Sequence, residues 1–536
     1  MTIERREIWT RIITAFVFAV CCFSFFQFLL PYHLFFKEQT QLFLLTAEYF
    51  ISYFEKPASL AAYIGDFLTQ FFYLRGGGAV TITIVLLVEW WLVVVLLERT
   101  GLKKKVSLLA LIPVLFDGIL HCELFYSLSI SVAVILVLFS FLVYTWIQNK
   151  WRMLVYGILI LPLLYVISGA VFLLFPLLVI IYEINKRRVR PLYWLLLTGI
   201  AAVFPYLMKQ VYLLTIKQAY RYPLATLGMR GVNFTREKVL ALSSEAYFGN
   251  WERVYELANE DKLSNFVATY YANIALSKRN ELPDKLLDYY QPFSQGLFLE
   301  VGPNSNWIDI FFSSDVFFHL GDMNMAQHSA MLGKIFSPKH RSSRMIKRLA
   351  EINLVNNDST ATRKYLRILE ATWFHRKWAV EHERMLTGKT EDYPWLKAKR
   401  SQIPTYDALR LSSDYPAALN VLIESNPDNT YALDYLLCFY LLNKDIRSFG
   451  EVFDKWCKGK SYRKPDLYYQ ALLIKLVASQ ATQKEVASYA IPATMMNDFL
   501  EYTRIYEQSN GDLEQLRRRF GATYWFYYHF ARMQKQ

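Results

Sequence analysis

Residues 32–78 read YHLFFKEQTQLFLLTAEYFISYFEKPASLAAYIGDFLTQFFYLRGGG. The stretch is too often interrupted by charge for a membrane span and too long for a tight turn. Its spacing predicts two amphipathic helices split at Lys56-Pro57, since proline is best tolerated in a first turn. The first is expected over Gln39–Phe54. The second is expected over Ala58–Tyr73, ended by Arg75-Gly76-Gly77-Gly78. Phe43, Tyr49, Phe50, Tyr53, Phe54, Tyr63, Phe67, Phe71, Phe72 and Tyr73 crowd both. Aromatic amphipathic helices beside a span lie in the membrane interface, so the reading is two helices flat on the outer leaflet.

Apolar segments flank this stretch on both sides. Ile8–Leu30 is long enough to cross a ~30 Å hydrocarbon core. It is no cleavable signal, because Pro31-Tyr32-His33 is not a small-residue cleavage site. Ala79–Leu97 follows, with Glu89 inside it, then Val106–Leu124 and Ser127–Ile147. Met153–Glu183 would make a helix of roughly 45 Å, longer than one span needs. Pro191–Met208 is last.

Short-loop Lys and Arg orient these spans. Arg5, Arg6 and Arg11 place the N-terminus inside. Arg99 with Lys103-Lys104-Lys105, then Lys150 with Arg152, then Lys186, Arg187, Arg188 and Arg190 mark three inner loops. The chain must therefore leave and return between Arg152 and Lys186, with the break expected near Ser168-Gly169. One or both arms are short enough for re-entrant half-helices. A single tilted helix would put a basic loop on the wrong side. The total is seven hydrophobic segments, with the chain outside after Met208.

Composition agrees with a chain divided in kind. Of its 536 residues, 54% are hydrophobic, 17% aromatic and 20% charged, so both a wholly soluble chain and a disordered one are excluded. Five cysteines exclude a disulfide scaffold. Of the formal net charge of +13, +5 lies before residue 209 and is largely topogenic. The remaining +8 is interleaved with acids, which argues against a nucleic-acid partner.

After Asn233 the pattern is helical, with turn signals at Gly249-Asn250, Arg279-Asn280, Gly321-Asp322, Asn357-Asp358, Ser413-Asp414 and Lys444-Asp445. Several intervals approach the ~34-residue period of tetratricopeptide-like helix pairs. The fold class expected is therefore all-α: a polytopic membrane bundle over 1–230, with the outer loop 31–78, then an α-solenoid over 231–536. Phe293–Trp307, with Gly302-Pro303-Asn304, reads as an inserted loop facing the membrane module. His375 and His382 read as surface residues, Cys438 and Cys457 as buried and unpaired. The aromatic tail Tyr524–Tyr528 reads as core or cap. No P-loop or dinucleotide fingerprint occurs.

Acidic residues gather at the outer face. Glu38 closely follows the first span, Asp66 lies on the second flat helix, and Asp117, His121 and Glu123 lie at the outer end of the third span. Ionisable groups near a membrane default to a functional reading. Glu48 and Glu55 read as water-facing, and Glu89 carries no assigned role.

This pattern resembles the GT-C superfamily of membrane glycosyltransferases over roughly residues 1–230. The resemblance implies a first-loop carboxylate, matched by Glu38 of Lys37-Glu38-Gln39 where an aspartate is more usual, and a second-loop acid, matched by Asp117 or Glu123. It implies Glu38, Asp117 and Glu123 as catalytic, and Gln39, Asp66, Gln70, His121, Lys209 and Arg221 as substrate-binding. Arg230 is a further phosphate candidate. A divalent cation, Mg or Mn, between Glu38 and Asp117 would clamp phosphate. Partners would be membrane lipids, a polyprenyl-phosphate sugar donor, and an envelope glycan or protein held by the repeats. The setting would be the bacterial inner membrane, with the N-terminus cytoplasmic and the repeats periplasmic. Through FFKEQTQLF and LAAYIGDFLTQFF the whole chain is also similar to a family of bacterial membrane proteins of unknown function. A non-enzymatic envelope scaffold is the competing reading; an anchor, however, needs no outer acids. A transporter fits worst, with few midplane charges and no inverted repeat.

Overall fold

The computed structural model describes residues 3–102, 105–188, 190–224, 231–262, 264–302, 305–406, 411–460, 462–508 and 512–532. The side chains of Arg5 and Arg6, the Lys103-Lys104 step, Arg230 and Pro303-Asn304 lie outside them. Every regular element among the described residues is helical. The chain divides into two compact units: residues 1–240 with 341–343 and 367–380, and residues 241–340 with 344–366 and 381–536.

In the first unit, α1 (Ile3–Ser24) loosens into a π turn at Phe25–Leu29 and kinks at Leu30 before α2 (Pro31–Gln39). Pro31 is the cause: it has no N–H to continue the ladder and pushes the preceding residue out of the α region. Then come α3 (Ala47–Ser52), α4 (Ser59–Thr69), α5 (Gly77–Thr100), α6 (Val106–Leu109), α7 (Leu111–Leu120), α8 (Leu128–Trp146), α9 (Lys150–Ser168), α10 (Leu174–Asn185), α11 (Pro191–Val211) and α12 (Ile216–Arg221). Among the described residues, five helical stretches are long and apolar enough to cross a membrane: Glu7–Leu29, Gly77–Thr100, Leu128–Trp146, Lys150–Asn185 and Pro191–Val211. Their outward faces are apolar as well, with Ile8, Ile12, Phe16, Trp91, Leu159, Leu163, Leu195 and Leu207 exposed. Water would penalise such faces; lipid would not.

The long stretch 150–185 is interrupted where Ser168-Gly169 indicated. Gly169 adopts φ +59°, a left-handed conformation open to glycine, and a 3-10 turn over Gly169–Leu173 separates α9 from α10. The chain reverses there. The Ser59 hydroxyl donates to the Val166 carbonyl, and Ala170 N–H to that of Tyr222. At the opposite end the Asn185 amide reaches the Thr100 carbonyl, and Tyr144 lies 3.4 Å from Glu183. Arg11 pairs with Glu98 at that same end of α5.

The stretch 32–78 differs from expectation. Helix does not run over 39–54: α2 ends at Gln39, and residues 40–46 are irregular until the Thr46 side chain caps α3 by accepting from Tyr49 N–H. The backbone of 40–46 is spent elsewhere. Gln41 C=O accepts from Ser343 N–H at 3.0 Å, and Leu45 N–H donates to Ala371 C=O at 2.8 Å. Those bonds compete directly with an intrahelical ladder. Helix over 59–73 is present as α4 and a 3-10 turn, but it does not lie open on a surface. None of its residues from Ser59 to Tyr73 is exposed. Gly65 packs so tightly on α8 that a Cβ there would come within 2.5 Å of the Ser129 backbone. Trp373 and Phe374 cover the remaining face through Phe67 and Phe71.

The second unit is helical, and four of the six expected turn signals act as caps. Asp322, Asp358, Asp414 and Asp445 each accept from the backbone N–H three residues on. Among the described residues of the stretch expected as an inserted loop, the backbone is irregular after a 3-10 turn at Phe293–Gly296. Leu297, Phe298 and Leu299 are buried, with Phe298 stacked on Tyr415 at 4.3 Å within this unit. Cys438 and Cys457 are buried and unpaired, and Tyr524 and Trp525 are core.

Candidate functional site

Successive residues on a helix point about 100° apart. Lys37 and Glu38 on α2 therefore face different groups, and a polar cluster has formed on each side.

On one side, Glu38 is 4% exposed. Its Oε1 lies 2.9 Å from Nε2 of His375, which is 2% exposed and not the surface residue expected. The imidazole is fixed by its surroundings: His375 N–H donates to the Thr372 hydroxyl, and the ring stands edge-on to Tyr73 at 4.9 Å. With Nε2–H donating to the carboxylate, Nδ1 carries the lone pair, and Nδ1 is buried without a partner. Burial, with the nearby Glu38 charge, raises the Tyr73 hydroxyl above its ordinary range. Gln39, next along α2, is fully buried, and its carbonyl accepts from the Ser342 hydroxyl at 2.6 Å.

On the other side, Lys37 Nζ donates to the His121 carbonyl at 3.1 Å, beside Nε2 of His33 on the same oxygen. Burial pulls the Lys37 ammonium down to about 7, against the opposing pull of Glu123, Glu237 and Asp117. Glu237 accepts from the Tyr32 and His33 backbone N–H groups and so closes the N-terminus of α2 with negative charge. Burial likewise lowers the His33 imidazole, although Glu237 draws it up.

Behind His121 the network continues into the helices. His121 Nε2 lies 2.8 Å from the Ser131 hydroxyl, which donates to Asp117 at 2.6 Å. The Tyr126 hydroxyl donates to the other Asp117 oxygen. Glu89 of α5 is 3% exposed and within hydrogen-bonding reach of Asp117, with Oε2 left without a partner. Glu123 is half-buried and close to Lys37.

Asp66 forms a third cluster under α3. The Tyr53 hydroxyl donates to it at 2.7 Å and also contacts the Tyr49 hydroxyl at 2.8 Å, with Arg341 4.8 Å over the Tyr49 ring. Burial and the Asp66 charge push Tyr49 up to about 12 and Tyr53 further still. Gln70 is buried, with its amide nitrogen unpartnered. Lys209 lies 4.2 Å over the Tyr206 ring, and Arg221 is exposed at the end of α12; neither touches Glu38 or Asp117.

Glu38, Gln39, His121 and Asp117 are thus joined through α2, but the two carboxylates expected to be catalytic, Glu38 and Asp117, turn to different partners. Among the described residues no group of three His, Cys, Asp or Glu is placed to hold a metal ion. The donor set does not fit one cation shared by Glu38 and Asp117. Sequence reading missed His375, Lys37, Glu237, Tyr126 and Ser131. Glu89 alone carried a visible signal, as a charge within an apolar span.

A family model described as a family of unknown function, DUF6057, matches residues 7–531, and the chain belongs to that family. No curated protein and no solved structure matches it.

Proposed function

We propose that this member of the family is a membrane-embedded glycosyltransferase-like protein that transfers a sugar from a polyprenyl-phosphate carrier to a hydroxyl acceptor. The observation supporting this reading most directly is the buried Glu38–His375 pair, with Nδ1 of His375 left unpartnered. A carboxylate that fixes an imidazole tautomer and leaves the other nitrogen free is the arrangement a general base requires. In the proposed step Nδ1 takes the acceptor hydroxyl proton, the acceptor oxygen bonds to the anomeric carbon, and the bond to the carrier phosphate breaks. The carrier leaves as polyprenyl phosphate. The imidazolium formed is stabilised by Glu38. Lys37 is the nearest cation on α2 to receive phosphate charge. No step is routed through a divalent cation.

The topology proposed with it follows from charge. The end of the bundle carrying Arg11, Arg99, Lys150, Arg152 and Lys186 is cytoplasmic by the positive-inside rule, which puts Glu38 at the outer face of a bacterial inner membrane. The GT-C-like module would span the first unit. The helix pairs of the second, read as a tetratricopeptide-like solenoid, would bind acceptor or an envelope partner.

A non-enzymatic scaffold is the second reading, favoured by one observation: Asp117 and Asp66 are already satisfied by Tyr126, Ser131 and Tyr53, as in networks that rigidify a core. Glu38→Gln in the native host separates the two. The enzyme reading expects lipid-linked sugars to accumulate and an envelope glycan to fall. Unchanged profiles at normal protein abundance would overturn it.

A further inference from the structure

Two buried polar atoms around the Glu38–His375 pair have no partner. One is Nδ1 of His375, an acceptor. The other is the amide nitrogen of Gln70, a donor on a residue only 6% exposed. Gln70 opens the 3-10 turn Gln70–Tyr73, and side chains three apart on such a turn eclipse, so Gln70 shares a face with Tyr73. The Tyr73 ring is the one that stands 4.9 Å from the His375 ring. A hydroxyl group uses one donor and one acceptor, and these two atoms supply them. Buried and unpaired, each carries a desolvation cost that a bound hydroxyl would relieve.

A row of rings leads from this place to solvent. Phe374 lies 5.9 Å from Tyr73, and Trp373 lies 6.1 Å from Phe374 with the two planes 18° apart. Tyr73 and Phe374 are half-buried and Trp373 is 55% exposed. Phe71 stands edge-on to both Trp373 and Phe374, at 5.8 and 5.5 Å, and Phe67 backs Trp373 at 6.1 Å. The backbone beneath is fixed as well. Leu45 N–H donates to the Ala371 carbonyl at 2.8 Å. The Thr372 hydroxyl donates to the Leu369 carbonyl at 2.7 Å and accepts from His375 N–H at 3.1 Å. Rings held in this way need little further ordering when a ligand binds.

We propose that the acceptor is a saccharide, its ring face stacked on Trp373 and Phe374 and its reacting hydroxyl held between Gln70 and His375. In that pose the hydroxyl oxygen accepts from the Gln70 amide and the hydroxyl donates to Nδ1 of His375. The inference rests on the reading of Glu38–His375 as a general base and adds the class of acceptor to it. The C–H face of a pyranose is weakly positive and matches the negative face of an aromatic ring. A peptide hydroxyl offers no such face. The next residues, Arg376 and Lys377, are exposed, which suits a wet, polar ligand better than a lipid chain.

The test is binding of the full-length protein, in phosphatidylcholine nanodiscs, to immobilised tetrasaccharides of glucose, galactose, mannose, rhamnose and N-acetylglucosamine. At least one should bind saturably. Trp373→Ala should weaken that binding roughly tenfold, the usual worth of a good aromatic contact. Trp373→Tyr should largely keep it, and Gln70→Leu should weaken it several-fold, all at native melting temperature. Trp151→Ala, which removes an exposed tryptophan on α9, should leave it unchanged. No saturable binding to any of these sugars, or binding that Trp373→Ala or Gln70→Leu leaves unchanged, overturns the proposal. So does quenching by dibrominated phosphatidylcholine that Trp373→Tyr removes, which would assign the indole to the lipid surface. The lipid-linked sugar profile of Glu38→Gln is a separate readout. Saccharide binding beside an unchanged profile would keep this site and remove the base; a changed profile without saccharide binding would do the reverse.

Discussion

Lys37 shows how a single residue records the tension around α2. Its ammonium is drawn toward Asp117, Glu123 and Glu237, yet burial holds it down to about 7 from an ordinary 10.5. The unfolded chain therefore binds the extra proton between those two values, and stability should rise with pH across that window. Below about 7 the cost of the charged form is fully present. Lys37→Met removes that cost. The melting temperature of the variant relative to the native protein should be most favourable near pH 6, with the advantage shrinking toward pH 10. A difference independent of pH would show that Lys37 is not held in a desolvating place. Neither this burial nor that of His375 was legible in the sequence. His375 lies in a polar helical region, and its partner Glu38 is 337 residues away. No local pattern records such a pairing. Glu89, in contrast, could be singled out because a charge inside an apolar run has no inexpensive explanation.

At the scale of elements, apolar length and basic loops carried most of the information. The reversal at Ser168-Gly169 could be read from the charge on either side of an overlong run, and the left-handed Gly169 provides it. The irregular 40–46 stretch could not be read, because residues 343 and 371 take its backbone bonds. Amphipathicity in α4 was read as a membrane-lying face, although the pattern equally serves a helix covered by protein. The α4–α8 crossing depends on close approach at Gly65. Gly65→Ala should destabilise the protein by about 1–3 kcal/mol through overpacking against the Ser129 backbone. Gly118→Ala, whose new methyl would meet its nearest neighbour at 3.5 Å, should be nearly neutral by the same unfolding measurement. Equal effects at both glycines would contradict the crossing described.

Across the whole molecule, the division into a part with membrane-length apolar helices and a charged helical part was legible in composition. The assignment of residues 341–343 and 367–380 to the first unit was not, since nothing in those short segments distinguishes them from the helices they interrupt. That assignment gives Glu38 its imidazole and makes the carboxylate–histidine pair the centre of the functional reading. The most direct test replaces His375 with Gln in the native host, beside Glu38→Gln, and measures lipid-linked sugars at matched protein abundance and melting temperature. If the pair acts as one base, His375→Gln should cause the same accumulation as Glu38→Gln, and the double variant no more than either. A normal lipid-linked sugar profile in His375→Gln would contradict that account.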